Sequence, residues 1–567
     1  MPQSGAAFLG LILAVLTTFS PAAQRPDDAG RVVFRDVSRA AGVVFTHVNG
    51  ASPDKHFAEI MGSGGLFFDF DNDGWIDVFL VDGGSKADPR VARTARHRLF
   101  HNRRNGSFAD VTATSGIQHL AYGMGACAGD YDNDGLIDLY ITNEGPNVLY
   151  RNAGNGVFAD VTARAGVASP LWSTSCAFAD VDRDGRLDLF VTNYVELGDE
   201  RNRFCGNTRP VTLRAYCHPL NFGPSPNVLY RNAGDGTFTD ISARAGIAPH
   251  RGNGLGVAIA DYDDDLWPDV FVANDGLPNF LFHNDGQGRF TERALVAGVS
   301  VAADGKARAG MGTAFGDVDG DGRPDLVVTN HETEMHSLFT NDGTGGFVDT
   351  TVASGVGRAT LQYVGFGVVL ADVDNDADLD LAIVNGHVID NIAMFRSGAK
   401  HAQPRLLLEN TGAGRFRNVG PLSGPGFAED AVGRALAAGD IDNDGDLDLL
   451  VTNNGGPAAL LRNTGGNRGH ALLLRLVGTD SNRDAIGARL RLTAGARTQV
   501  REVTSGASYL GQSDLRVHVG LGAAAVVDRL EIRWPSGRTE QLEKVEANQA
   551  ITVREGAGIV ARVPLQH

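Results

Sequence analysis

The chain has 567 residues, of which 43% are hydrophobic, and a formal net charge of −18. That apolar fraction excludes wholesale disorder, and the acidity argues against nucleic acid as a partner. Its 73 glycines point to many turns rather than long helices, and a chain of this length asks first whether internal repeats account for it.

In chain order, the first feature is a short apolar run from Phe8 to Phe19, too short to span a bilayer, followed by small residues at Ser20-Pro21-Ala22. Residues 1–23 therefore read as a secretory signal peptide. No Lys or Arg precedes the run, so the competing reading is a short retained membrane anchor. No later apolar stretch is long enough to cross a bilayer, and the mature chain is expected to be soluble and exported, either periplasmic or extracellular.

A nine-residue pattern then occurs seven times, with Asp at its first, third, fifth and ninth positions. These fall at Asp69, Asp71, Asp73 and Asp77; Asp130, Asp132, Asp134 and Asp138; Asp180, Asp182, Asp184 and Asp188; Asp261, Asp263, Asp265 and Asp269; Asp317, Asp319, Asp321 and Asp325; Asp372, Asp374, Asp376 and Asp380; and Asp440, Asp442, Asp444 and Asp448. Alternate carboxylates can converge on a hard cation if the backbone curls, and calcium takes six to eight oxygen ligands in a flexible shell. A sixth-position Gly permits the turn. Leu266 and Ala377 replace it in two copies, which are expected to bind less tightly. An EF-hand is excluded, because its twelfth-position Glu is Leu80 in the first copy and Ile141 in the second, and the flanks are strand-like. The alternative is an Asp-rich turn that binds nothing, but four clustered carboxylates repel one another. Seven divalent ions would carry 14 positive charges and bring −18 to −4.

Around each loop lie four short strands. A Gly-rich strand enters, as in Gly123-Met124-Gly125-Ala126, and a second leaves, often ending in Thr-Asn, as in Leu139 to Asn143. A third reads Asn147 to Asn152, and a fourth begins at Phe158. This pattern predicts an all-β fold, a seven-bladed β-propeller over residues 32–465 with a small all-β domain over 468–556. Six fourth strands follow loops one to six. The seventh is expected from the front of the chain, since Phe34-Arg35-Asp36-Val37-Ser38 matches Phe158-Ala159-Asp160-Val161-Thr162. Long insertions at Asp82–His97, Tyr194–Pro226 and Gly386–Pro404 all follow second strands. They should share the face opposite the Asp loops, together with the inter-blade residues Trp172, His250 and Tyr363.

Export makes disulfides possible. A local Cys205–Cys217 bridge is expected, whereas Cys127 and Cys176, each preceding an Asp loop, read as buried thiols. His331 and His336 are five apart, a spacing that suits no metal pair, and Asn385-Gly386-His387 marks a second polar turn. His47, His56 and Glu59 could point into the channel. No nucleophile elbow, phosphate loop or dinucleotide fingerprint is present, and no catalytic residue is assigned.

The seven Asp loops resemble the FG-GAP/VCBS repeats of integrin α-chain propellers. Ile486-Gly487-Ala488-Arg489, Val519-Gly520-Leu521-Gly522 and Trp534-Pro535-Ser536-Gly537 resemble the ASPIC/UnbV domain. Together they resemble the family of cartilage acidic protein and its bacterial relatives. The resemblance implies secretion, calcium binding and an extracellular or adhesive role, and no known reaction. Two functions are therefore expected to compete. One is a binding or adhesion module for an extracellular or envelope protein or glycan. The other is an enzyme, a lyase or biosynthetic tailoring enzyme, working in the propeller mouth.

Overall fold

The computed structural model describes residues 32–566 except 93, 119–120, 199–202, 209–211 and 467–468; the signal peptide expected at 1–23 lies outside the described residues. Seven four-stranded antiparallel sheets form the propeller. The second blade is typical, with strands Tyr122–Gly129, Asp138–Glu144, Val148–Asn152 and Phe158–Asp160 in sequential order. Buried residues face both sides of its first three strands, because each blade packs against two neighbours. Such strands read as continuous apolar runs rather than as an alternation.

The last blade is composite. Its strands Gly433–Gly439, Asp448–Asn453 and Ala459–Asn463 are completed on the outside by Phe34–Asp36. Phe34 pairs with Asn463 and Asp36 with Leu461, and Phe34 is fully buried against Phe427. The first described strand thereby covers a sheet edge of the last blade that would otherwise offer unpaired backbone groups.

The Thr-Asn ending of the second strands has a physical reason. In five blades the innermost strand carries a register shift, as between Gly123 and Ala126. In three of these blades a Thr hydroxyl sits at the irregularity: Thr142 Oγ1 accepts from Gly125 N–H at 2.8 Å and donates to the Thr174 carbonyl of the next blade. Thr192, Thr329 and Thr452 repeat the bridge to Leu255, Phe366 and Ser63. Gly125 is required here, since a Cβ would lie 2.6 Å from the Thr174 carbonyl oxygen.

Residues 470–564 form two further four-stranded sheets. One holds His470–Val477 parallel to Gln549–Arg554, and the other centres on Arg489–Ala494 and Val526–Arg533. Trp534 is 1% exposed and belongs to their shared core, which is continuous with second- and third-blade residues such as Tyr140 and Phe178. From this domain residues 505–514 enter the propeller channel and hydrogen-bond to the inner strand of every blade. The partners, from first blade to seventh, are Phe67, Ala128, Ser175, Val257, Thr313, Val368 and Ala438. The tip reaches the far side, where the Tyr509 hydroxyl donates to the Met61 carbonyl at 3.0 Å. Three non-glycine residues of this segment, Ala507, Ser508 and Leu510, hold positive φ, and seven sets of contacts over-determine that strained path.

The cysteine reading needs one correction. Cys205 pairs with Cys217 as expected, but Cys127 and Cys176 are also bridged rather than being buried thiols. They lie on the inner strands of adjacent blades, brought together by ring packing and not by sequence spacing.

Deleting residues 32–41 would strip the outer strand from the last blade. The expected outcome is a lower melting temperature and concentration-dependent association through the bared Ala459–Asn463 edge. Light scattering and thermal melts that match the full chain would refute the closure.

Candidate functional site: seven aspartate loops under a second domain

Every loop has the same internal geometry. In the first, the Asp69 carboxylate accepts from the Asp73 and Gly74 N–H groups, both at 3.0 Å, and the fifth-position Asp73 accepts from Trp75 at 2.8 Å. The ninth-position Asp77 accepts from Phe70 and Asn102 N–H groups at 3.2 and 2.7 Å. Positions one, five and nine are thus held by backbone donors, which stiffens the loop before any ion arrives. Position three has such a donor in the fifth loop, where Asp319 accepts from the Asp321 N–H at 3.1 Å, but elsewhere it is less well held. In five loops one oxygen of that carboxylate, on Asp132, Asp182, Asp263, Asp374 or Asp442, is buried with no hydrogen-bond partner.

The turn requires left-handed backbone twice, at the fourth and sixth positions, as at Asn72 (φ 58°) and Gly74 (φ 85°). Leu266 and Ala377 adopt the same sixth-position conformation at φ 80° and 82°. The two exceptional loops therefore keep the geometry and bear the strain.

The third-strand asparagines, unassigned by the sequence reading, organise the ring. Asn102, Asn152, Asn232, Asn284, Asn341, Asn410 and Asn463 each donate a backbone N–H to the ninth-position Asp of their own loop, at 2.7–2.8 Å. Each side-chain amide then donates, at 2.8 Å, to the second-position carbonyl of the preceding blade's loop. Asn102 of the first blade reaches Ile441 of the seventh, so the series is cyclic. The signal was available, since Asn recurs at this repeat position in all seven blades while the residues beside it vary.

Burial dominates the electrostatics. It pushes the carboxyls of Asp77, Asp130 and Asp440 up to about 9, 8 and 8, with neighbouring loop carboxylates adding to the rise. Third-strand cations flank some loops: Arg151 pairs with Asp132 at 2.5 Å and Arg231 with Asp182 at 2.5 Å. The sixth loop has the opposite, as Glu409 takes that place and helps raise Asp374 to about 6, behind burial and Asp376. The carboxylate donor set, joined by a third-strand imidazole in the first and fourth loops (His101 and His283), its unpartnered third-position oxygens and its surplus of buried negative charge fit a hard divalent cation such as calcium. They do not fit a soft metal.

The second domain sits on this acidic face and touches all seven loops. Arg516 reaches the Gly74 carbonyl and Asn443, while the Arg483 backbone donates to Asn133. Arg183 of the third loop donates to the Pro535 carbonyl at 2.8 Å. Arg533 meets Asp261 at 2.7 Å, Arg489 donates to the Gly322 carbonyl at 2.6 Å, and Arg497 to the Asp376 carbonyl at 2.6 Å. An arginine stripe thus meets an acidic ring, a complementarity visible in sequence only once the two segments are known to dock.

The third- and sixth-blade insertions meet on the opposite face, and residues 48–59 bridge to them and to the first-blade insertion. Asn391 donates to the Arg214 carbonyl at 3.0 Å, joining the sixth-blade insertion to the third-blade one across the ring. Lys55 pairs with Asp390 at 2.6 Å, and the Asp82 carboxylate accepts from Val48 at 2.8 Å. Glu59 is fully buried, accepting from Ser52 and from the Tyr216 hydroxyl at 2.9 Å. Phe57 packs on Trp172 and Tyr194 over the channel centre, so Trp172 is core rather than a presented aromatic. His336 is buried and bonded within its own turn, whereas His331 lies with Glu332 and His387. His387 Nδ1 accepts from the Ile389 N–H at 2.9 Å, so its Nε2 carries the proton and faces Glu332 at 3.2 Å. That tautomer is wrong for a metal ligand.

Such a seven-bladed propeller, with an Asp loop in each blade and a sandwich domain docked on the loops, defines a class of repeat protein. The chain belongs to the FG-GAP-like repeat family, whose model matches residues 69–141, 130–191, 220–272, 261–328, 317–383 and 398–451. A further FG-GAP repeat covers 432–472, and the ASPIC and UnbV domain covers 478–560. Cartilage acidic protein 1 of Homo sapiens is 30% identical over 337 residues, 59% of this chain and 47% of that protein. The Mus musculus protein is 30% identical over 302 residues, 53% and 44% respectively. The chain thus spans about half the length of the curated relatives it matches. Among solved structures, an Agrocybe aegerita lectin aligns over 63% of this chain and 79% of its own, at 16% identity and a TM-score of 0.37. The V. cholerae biofilm matrix protein Bap1 aligns over 85% and 72%, at 12% identity and a TM-score of 0.29. Both are too distant to bear on a ligand.

Two outcomes follow from the loop geometry. Ala377→Gly should raise stability by roughly 0.5–1 kcal/mol by relieving left-handed strain, less the unfolded-state cost of glycine; a urea midpoint that falls would contradict this. In metal-free protein the raised carboxyls favour folding while protonated. That contribution is complete below the unfolded value near about 4 and is lost as pH rises through about 6 for Asp69 to about 9 for Asp77. Melting temperature in chelator should therefore fall between pH 5 and pH 8, and added calcium should flatten that fall.

Proposed function

We propose that the protein is an exported, calcium-stabilised propeller acting as a binding module, with the insertion face turned to an extracellular or envelope protein or glycan. The observation that carries this reading is the set of five third-position oxygens left without donors in loops whose other carboxylates each accept backbone N–H groups. In each loop the Asp residues at positions one, three, five and nine, with the seventh-position carbonyl, would hold the ion. A bound calcium supplies charge neutralisation and loop order. The acidic face is covered by the chain's own second domain, which leaves the insertions as the presented surface, and loops on a rigid scaffold are where recognition collects. Two disulfides, with no free cysteine, suit an oxidising compartment. Among the described residues no helix is long and apolar enough to cross a membrane.

The competing enzyme reading has one cluster in its favour, Glu332 between His387 and Arg396, beside His331. Against it, the middle of the mouth is packed with Phe57, Trp172, Tyr194 and Tyr509, which leaves the binding reading preferred.

Excess chelator should lower the melting temperature by roughly 5–10 °C, and calcium should restore it, because a ligand bound only by the folded state stabilises it. Asp132→Ala should remove one ion per chain by elemental analysis and lower the restored temperature slightly. An unchanged melt in chelator together with no bound metal would falsify the calcium assignment. For the binding face, a variant shortened within 387–402 should keep its calcium and lose affinity for glycan or envelope fractions that retain the parent.

A further inference from the structure

On the insertion face, residues 49–60, the sixth-blade insertion, the 429–432 link and the 453–459 turn enclose a cleft of about 530 Å³, within the range of small-ligand sites. Four residues of its wall keep a buried polar atom with no partner: the amide oxygens of Asn453 and Asn454, His401 Nδ1 and Arg405 Nε. Arg405 and Asn453 are each only 6% exposed. Buried polar groups are normally bonded, and these four atoms lie just beneath the cleft surface, so a ligand that displaces the wall side chains slightly gains partners there. The Asn453 oxygen is the weakest of the four, because Asn143, Asn274 and Asn330 leave the same oxygen free in other blades. Asn454, His401 and Arg405 have no such repeat explanation.

The charge of the cleft limits the class of ligand. Asp390 and Asp430 are paired with Lys55 at 2.6 Å and Lys400 at 2.9 Å. Glu429 and Asp36 also line the cleft, against the single guanidinium of Arg405, and burial holds His401 neutral by lowering its pKa. Phosphate, sulfate and uronate would meet this acidic lining unfavourably. Amide acceptors interleaved with a guanidinium donor and an imidazole suit a ligand whose every group both donates and accepts, which describes a hydroxyl.

We propose that this cleft is a subsite for a neutral saccharide unit of a glycan. The proposal rests on the binding-module reading and narrows its partner from protein or glycan to glycan.

The test titrates the calcium-loaded full chain with neutral oligosaccharides ending in glucose, galactose, mannose or an N-acetylhexosamine, and with uronate-ended counterparts. At least one neutral saccharide should bind saturably, with its uronate counterpart at least tenfold weaker. Ala431→Trp and Ala51→Trp, at half-buried and exposed positions on the cleft wall, should each weaken binding at least tenfold with an unchanged melting temperature. Should either variant fold poorly, hydrogen exchange on the saccharide-bound parent decides, and protection must fall on 429–432 and 453–457. No neutral saccharide bound, equal binding of uronates, unaffected binding in both variants, or protection elsewhere would overturn the proposal. Capture of a protein ligand by the insertion face without saccharide binding removes the cleft assignment and leaves the binding module standing; loss of both removes both.

Discussion

Seven asparagine side chains hold the propeller together at its acidic face. Each receives nothing from solvent. Its backbone steadies the last aspartate of its own loop, and its amide reaches the loop of the preceding blade. Blade packing and loop shape are thereby one structure, because a loop that loosens releases a bond to its neighbour. On the channel side the second-strand threonines make a partial ring running the other way, from each blade to the next. A ring tied in both directions resists the slippage to which flat repeated sheets are prone.

The same bonds concentrate negative charge where water is scarce. Buried carboxylates at Asp138, Asp188, Asp380 and Asp448 are pushed well above their ordinary range, first by burial and then by their neighbours. Two kinds of cation can relieve that. Protein cations do so in part, from the third strands and from the second domain, whose Arg475, Arg489, Arg497, Arg516 and Arg533 all reach loop groups. The proposed calcium ions would do the rest. The second domain is accordingly part of the propeller's electrostatics, and through residues 505–514 part of its core, rather than an appendage on a linker. Filling the channel from one side with Tyr509 and from the other with Phe57 and Met61 moves any recognition surface outward, onto the insertions and the cleft between them.

Much of this was legible from residues alone. Periodicity gave the blade count, the carboxylate spacing gave the loops, and the match between Phe34–Ser38 and Phe158–Thr162 gave the composite last blade, because each follows from local chemistry repeated along the chain. Apart from Phe34–Asp36, which pairs with Leu461–Asn463, strand order and loop conformation need only neighbours a few tens of residues away. The sixth-position rule singled out the loops of Leu266 and Ala377 as those expected to bind less tightly, and both residues hold the turn at positive φ.

What the tertiary structure alone decided involves partners with no common period. Cys127 meets Cys176 because adjacent inner strands face each other across a blade junction. Residues 505–514 reach partners that lie up to 448 residues away in sequence, as between Tyr509 and Met61. The third- and sixth-blade insertions converge although their blades stand on opposite sides of the ring. In each case the sequence carries the chemistry of both partners, while their meeting depends on closure of the ring, and closure is a property of the packed whole that no local pattern encodes.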